Sequence, residues 1–233
     1  MNAQIATALH PPSVAGDQAP AQRFYFSSSL VSLAGEDTPA MQAFASLRAN
    51  LLSGHFRVGR RSLAVCSPTG DAGSTFVAAN AAFAIAQTGI KTLLIDANLA
   101  SPGLEKYVMP PEPGLGLRQM LRSGDMPVDY VCSDVVPNLS ILFAGGGGPN
   151  ASELIAGREF KAVLDELVRD HEFTIIDTPP GKRSPDAIRI ATAVRYALVV
   201  ARRDVSYLAD VQDLVTDLEA AQTNVVGTFL TDF

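Results

Sequence analysis

Six short runs of this chain are apolar almost without interruption: "SLAVCS" (62–67), "KTLLIDANLA" (91–100), "LSILFA" (139–144), "FTIIDTPP" (173–180), "YALVVAR" (196–202) and "NVVGTFLTDF" (224–233). Between them lie helical patterns. "TFVAANAAFAIAQTG" is a long helix of small residues that ends at Gly89, and "ASELIAGREFKAVLDELVRD" is one strongly amphipathic helix. "PDAIRIATAV" and "LADVQDLVTDLEAAQ" are two more. Upstream, Thr38 can cap and Pro39 can start a helix that carries Met41, Phe44, Leu47 and Leu51 at helical spacing. Residues 102–121 are turn-rich with helical fragments. Continuous apolar strands that alternate with helices imply an α/β fold: a doubly wound, mostly parallel sheet buried on both faces by helices. In such sheets ligands bind outside the carboxyl ends of the strands. Two of the runs reach that end with an acid, Asp96 and Asp177.

Length and charge narrow the function. The 233 residues suit one large domain, or one domain and a tail, and 47% apolar content supplies a substantial core. Residues 1–35, rich in Ala, Pro, Ser and Gln, read as a flexible tail, leaving 36–233 as the folded domain. Within the tail, "RFYF" (23–26) either docks on a partner or packs on its own domain's edge. A net charge of -6 argues against nucleic acid as a partner. Cys66 and Cys132 sit in apolar contexts with no C-x-x-C, and His10, His55 and His171 are scattered without metal spacing. No apolar run reaches the roughly 18 residues of a spanning helix, and the N-terminus lacks a basic n-region. The expectation is a soluble, cytoplasmic protein with no direct membrane insertion, held at an inner membrane only through something else.

The loop after the first apolar run is the candidate site. "SPTGDAGSTFVAAN" (67–80) falls where a phosphate loop, G-x-x-x-x-G-K-[ST], would lead into a helix. Backbone N–H groups of the turn and the helix N-terminus would face the phosphates. The Thr75 hydroxyl would ligate Mg²⁺, with Asp177 in support. Gly70, Asp71, Gly73, Ser74 and Thr75 form this cradle, but Ser74 stands where the lysine belongs. Taken alone, a glycine turn before a helix is also a plain strand-to-helix connection.

Over residues 38–233 the motifs resemble the bacterial tyrosine kinases of polysaccharide synthesis, deviant-Walker P-loop ATPases akin to MinD and ParA. "QAFASLRANL", the loop itself, "LLIDANLASP", "GGGGPNASELI", "TIIDTPP" and "TFLTDF" follow that family's order. The resemblance gives Thr75, Asp96 and Asp177 as the Mg²⁺ and catalytic positions, and Thr231 as the place of an adenine-reading asparagine. It also exposes departures. Ser74 replaces the lysine, Asn98 the second acid and Ala100 an arginine. Gln42 and Ala45 break an E-x-x-R-x-x-R assembly motif of which Arg48 survives. No tyrosine cluster ends the chain, whose last tyrosine is Tyr207. Losing one charge-assisted hydrogen bond, about 1.5–3 kcal/mol, weakens nucleotide binding by roughly 10- to 150-fold, and transition-state stabilisation by more. Lys182, in "PPGK", is the nearest substitute cation by sequence, or a solvated loop lysine.

The resemblance therefore implies a degenerate member of the family. It would act as a scaffold or regulator of capsule, exopolysaccharide or holdfast synthesis, docked on an inner-membrane co-polymerase and capable of homo-oligomerisation. ATP or ADP and Mg²⁺ would bind weakly or not at all. Two alternatives stand beside it. One is an active ATP/Mg²⁺-dependent switch in the same export system. The other is a MinD- or ParA-like positioning ATPase, whose early-loop lysine is missing at Pro68 and Thr69.

Overall fold

A seven-stranded sheet organises the chain. The computed structural model describes residues 24–33, 38–110, 114–125 and 127–232. Residues 1–23, most of the stretch read as a tail, lie outside the described residues, as do His10 and Phe233. The elements are β1 (Tyr25–Phe26), α1 (Pro39–Asn50), β2 (Ser62–Cys66), α2 (Ser74–Ala86), β3 (Thr92–Asp96), β4 (Val108–Met109) and α3 (Leu117–Ser123). They continue with β5 (Cys132–Val136), β6 (Leu139–Leu142), α4 (Ala151–Ala156), α5 (Arg158–Asp170), β7 (Phe173–Asp177), α6 (Asp186–Val194), β8 (Tyr196–Arg202), α7 (Leu208–Ala220) and β9 (Asn224–Thr231). The sheet order is β5-β6-β3-β7-β2-β8-β9. All neighbours are parallel except β5, which runs antiparallel to β6 along one edge. The other edge is β9. Its register shifts where Ala197 faces Val225 but Leu198 faces Gly227, so Val226 is an extra, bulged residue.

Strand alternation divides the core between the two faces. Leu63 and Val65 of β2, with Phe173 and Ile175 of β7, point to the side covered by α1 and α2. Ala64, Cys66 and Ile176 point to the side covered by α3 to α7. Helix α2 is buried nearly all round, and its alanines allow the close approach to the sheet that their spacing predicts. Thr38 caps α1 as expected, its Oγ1 accepting from Met41 N–H at 3.2 Å. Beyond Asn50 the helix widens into a π turn, Leu51–His55, and stops at Gly59, whose φ of +80° no β-carbon favours.

The structure differs from the expectations in three places. The helix predicted over 151–170 is two helices, because Gly157 takes an extended conformation between α4 and α5. Asn150 precedes α4 in a left-handed conformation (φ +63°) and makes no side-chain cap. The edge strand β5 escaped the sequence reading because "CSDVV" is half exposed and lacks an apolar run. Most consequential, residues 24–33, within the stretch read as a tail, are folded onto the domain, in line with the reading that packs "RFYF" on the domain's own edge. Tyr25–Phe26 pair antiparallel with Val108–Met109, and Leu30 is buried in the core beside α2. Asn80 of α2 staples this strap: its Oδ1 accepts from Ser32 N–H at 3.2 Å, and its Nδ2 donates to Ser29 O at 3.4 Å. Gln87 adds a 2.6 Å bond to Ser32 O.

Candidate functional site

The carboxyl ends of β2, β3 and β7 converge on one spot, as the topology requires. After β2 the chain makes a short 3-10 turn, Gly70–Ala72, and enters α2 through Gly73, whose left-handed φ of +85° suits glycine. No side chain caps this N-terminus, so the first-turn N–H groups are left for an anion. The Thr75 hydroxyl donates to Asp177 Oδ2 at 2.6 Å. The other oxygen, Oδ1, is buried without a hydrogen-bond partner. Asp96 stands beside Asp177 in register on the neighbouring strand.

The two acids differ in what they hold. Asp96 Oδ1 accepts from Asn98 N–H at 3.0 Å, and Oδ2 from Gly103 and Leu104 N–H, both at 3.1 Å. Asp96 thus ties down the loop that leaves β3. Burial pushes its carboxyl up to about 6, against those three N–H groups. Asp177 is held well above the ordinary carboxylate range, first by complete burial and then by the charge of Asp96, with the Thr75 hydroxyl, the Ser74 hydroxyl and the Thr178 N–H opposing. The loop that Asp96 secures passes close over the hydroxyl, because a β-carbon on Gly103 would lie 3.1 Å from Thr75 Oγ1.

Of the other predicted residues, Ser74 begins α2 and is buried. Gly70 packs toward Pro180, where a β-carbon would lie 3.5 Å from Cγ. Asp71 is exposed on the turn, and its carbonyl accepts from Arg202 Nη1 at 3.3 Å. Thr231 is buried and donates to Ala72 O at 2.9 Å, with Ala201 O at 3.3 Å. It fastens the phosphate turn to the ends of β8 and β9. Lys182, the substitute cation suggested by sequence, is ion-paired with Asp210 of α7.

One residue the sequence reading missed organises the neighbouring loop. Arg118 of α3 is buried, and its guanidinium donates to Leu99 O (2.6 Å), Pro149 O (2.8 Å), Gly148 O (3.0 Å) and Gly146 O (3.2 Å). Gln119 adds a 2.8 Å bond to Gly145 O. The Gly146 and Gly148 carbonyls are therefore tied to the Arg118 guanidinium and that of Gly145 to Gln119. The carbonyls of this glycine run surround a cation. No spacing in "LRQML" marks that arginine.

The site's donors suit a hard cation. Thr75 and Asp177 offer the oxygen ligands that Mg²⁺ takes, and the unpartnered Oδ1 is an atom that the ion or its water would satisfy. Among the described residues, no group of three or more His, Cys, Asp or Glu side chains could hold a metal alone.

No family model matches the chain. Individual relatives do. A putative tyrosine-protein kinase of Staphylococcus aureus, CapB, is 30% identical over 189 residues, which cover 81% of this chain and 82% of the relative. The protein belongs to the bacterial tyrosine-protein kinase family. A tyrosine-protein kinase of Acinetobacter johnsonii, Ptk, is 28% identical over 208 residues, but there this chain corresponds to 28% of a longer protein. In three dimensions the chimerical protein CapA2B2 superposes with a TM-score of 0.77 at 27% identity, covering 88% of this chain and 89% of the other. The MinD of Pyrococcus horikoshii, solved with Mg-ADP, shares the fold at a TM-score of 0.60 and 23% identity, covering 73% of this chain and 69% of the other.

Proposed function

We propose that this family member has lost phosphoryl transfer and acts as a cytoplasmic scaffold or regulator of cell-surface polysaccharide assembly, docked on an inner-membrane co-polymerase. The observation that carries the loss of chemistry is position 74. A buried serine occupies the first turn of α2 where the phosphates would need a lysine, and the nearest alternative, Lys182, is engaged by Asp210. At that position no cation then meets charge that builds on the transferring group, and Arg202, the guanidinium that reaches the turn, is bonded to Asp71 O. Asp71 adds a carboxylate to the phosphate turn itself. The family's motif order supports the polysaccharide assignment. Among the described residues no helix is long and apolar enough to cross a membrane, which fits attachment through a partner.

A second reading rests on the intact Thr75–Asp177 pair. The first-turn N–H groups of α2 would hold the phosphates, and Thr75 with Asp177 would hold Mg²⁺. Bound nucleotide would supply a phosphoanhydride whose presence or absence could switch the partner. Calorimetry with Mg-ATP on the wild type and Ser74→Lys separates the two, alongside a phosphotyrosine assay. Tight binding gained only in Ser74→Lys, with no phosphotyrosine from the wild type, is the expected result. ATP turnover or phosphotyrosine above background in the wild type overturns the first reading. Failure to bind any co-polymerase, with normal polysaccharide in a deletion strain, overturns the scaffold role.

A further inference from the structure

A second concentration of charge lies at the opposite end of the sheet. Strands β2, β3, β7 and β8 are parallel, so the residues that lead into them share the end away from Asp96 and Asp177. Arg60 and Arg61 precede β2, Lys91 precedes β3 and Arg195 precedes β8. Arg169, in the last turn of α5, joins them. Asp170 and Glu172 lie at the same end, against five basic residues. The ion pairs among the described residues are Lys161–Asp165, Lys182–Asp210 and Arg189–Asp186, and none involves this group.

The arginines do more than decorate a surface. Arg61 and Arg169 line one cleft of about 160 Å³ with Phe56, Asp170, His171 and Glu172. Several contacts fix its walls. His171 is buried, with its Nδ1 committed to Leu167 O at 2.9 Å. Glu172 Oε2 accepts from Lys91 N–H at 2.9 Å, so part of its charge is spent on the backbone. Outside the cleft's lining, Arg60 lies over the Tyr196 ring at 4.6 Å, and His55 meets that ring edge-on at 4.7 Å. Phe56 reaches the cleft directly after the π turn, a helix irregularity frequent at functional sites.

We propose that this cleft is a second ligand site, remote from the phosphate loop, that takes a phosphate-bearing anion. Two guanidiniums present planar forks matched to phosphate oxygens, and Phe56 offers an apolar wall beside them. At about 30 Å³ per water, the volume has room for a mono- or diphosphate group. The phosphate could belong to a soluble ester or to an anionic lipid headgroup, and the chemistry of recognition is the same for both.

Inorganic pyrophosphate is the probe, titrated calorimetrically without Mg²⁺ into the full chain. Saturable binding is expected, weakened about tenfold by Arg61→Gln or Arg169→Gln and about a hundredfold by both together. Lys161→Gln, on the exposed face of α5, should leave it unchanged. Arg→Lys at either position should restore part of the affinity, and circular dichroism should show that every variant keeps the fold. Co-flotation with phosphatidylglycerol vesicles but not phosphatidylcholine vesicles, abolished in the double variant, would assign the phosphate to a headgroup. Pyrophosphate binding without flotation would assign it to a soluble ligand, and either result supports the site. No saturable binding, binding indifferent to the double variant, or an equal loss in Lys161→Gln would overturn it.

Discussion

Replacing Asp177 by asparagine should make this protein more stable at neutral pH. The carboxylate is fully buried, one oxygen has no partner, and Asp96 sits beside it in register. Both groups titrate above their ordinary range, Asp96 at about 6. A carboxyl whose folded pKa is raised contributes stability that is complete below its unfolded value, and that contribution is lost as pH rises through the folded value. For Asp96, the rise from 3.8 to about 6 corresponds to about 3 kcal/mol lost across that window. Asparagine at 177 keeps an oxygen to accept from Thr75, puts a neutral amide in place of the orphaned Oδ1 and removes the charge facing Asp96. Removing the desolvation cost of one buried charge is worth about 1–3 kcal/mol, which at roughly 3 °C per kcal/mol for a chain of this size raises Tm by about 3–9 °C. The assay is thermal unfolding in Mg²⁺-free buffer at pH 5 and pH 8. The wild type should melt lower at pH 8 than at pH 5, and the variant should lose the part of that difference that Asp177 carries while keeping the part that burial of Asp96 causes. A variant that melts lower than the wild type at pH 8, or keeps the same pH dependence, would refute the argument and mean that Asp177 is stabilised as an anion.

Three further outcomes follow from contacts elsewhere. Arg118→Met removes hydrogen bonds to the carbonyls of Leu99, Gly146, Gly148 and Pro149, and should destabilise by about 3–5 kcal/mol while speeding amide exchange across residues 145–149. Asn80→Ala should cost about 1–3 kcal/mol and raise exchange in residues 29–33 before the sheet responds. Burial pushes the Cys66 thiol up to about 12, so in the native state at pH 8 it should resist alkylation. The half-buried Cys132 should react first, as peptide mass mapping would show.

The parallel strands were legible because burial on both faces leaves an unbroken apolar run, and the strand-end acids followed from that reading. Strand β5 had no such mark, being a half-exposed edge. The break at Gly157 hid because the apolar period continues through it. At the site, Thr75 and Asp177 could be paired from motif positions alone. The roles of Gly103, Arg118 and Thr231 could not, since each depends on which distant segment closes over it. Thr231 meets Ala72 across 159 residues of sequence. The glycine run shows the limit most clearly. Its composition promises freedom, and a buried guanidinium three strands of argument away, on α3, takes that freedom from it.

The bulge at Val226 bears on how the molecule behaves in a crowd. An outer strand with its backbone groups unspent is a template on which another chain can crystallise. Along β9 that template is interrupted, because the residues before Val226 and those from Gly227 onward answer to different registers of β8. An incoming strand can follow one part or the other but not both in one register, and the longer part is Gly227–Thr231. Leu230, exposed near the far end, lies in that longer part. One surplus residue thus shortens the ladder that this edge of the sheet can offer another chain.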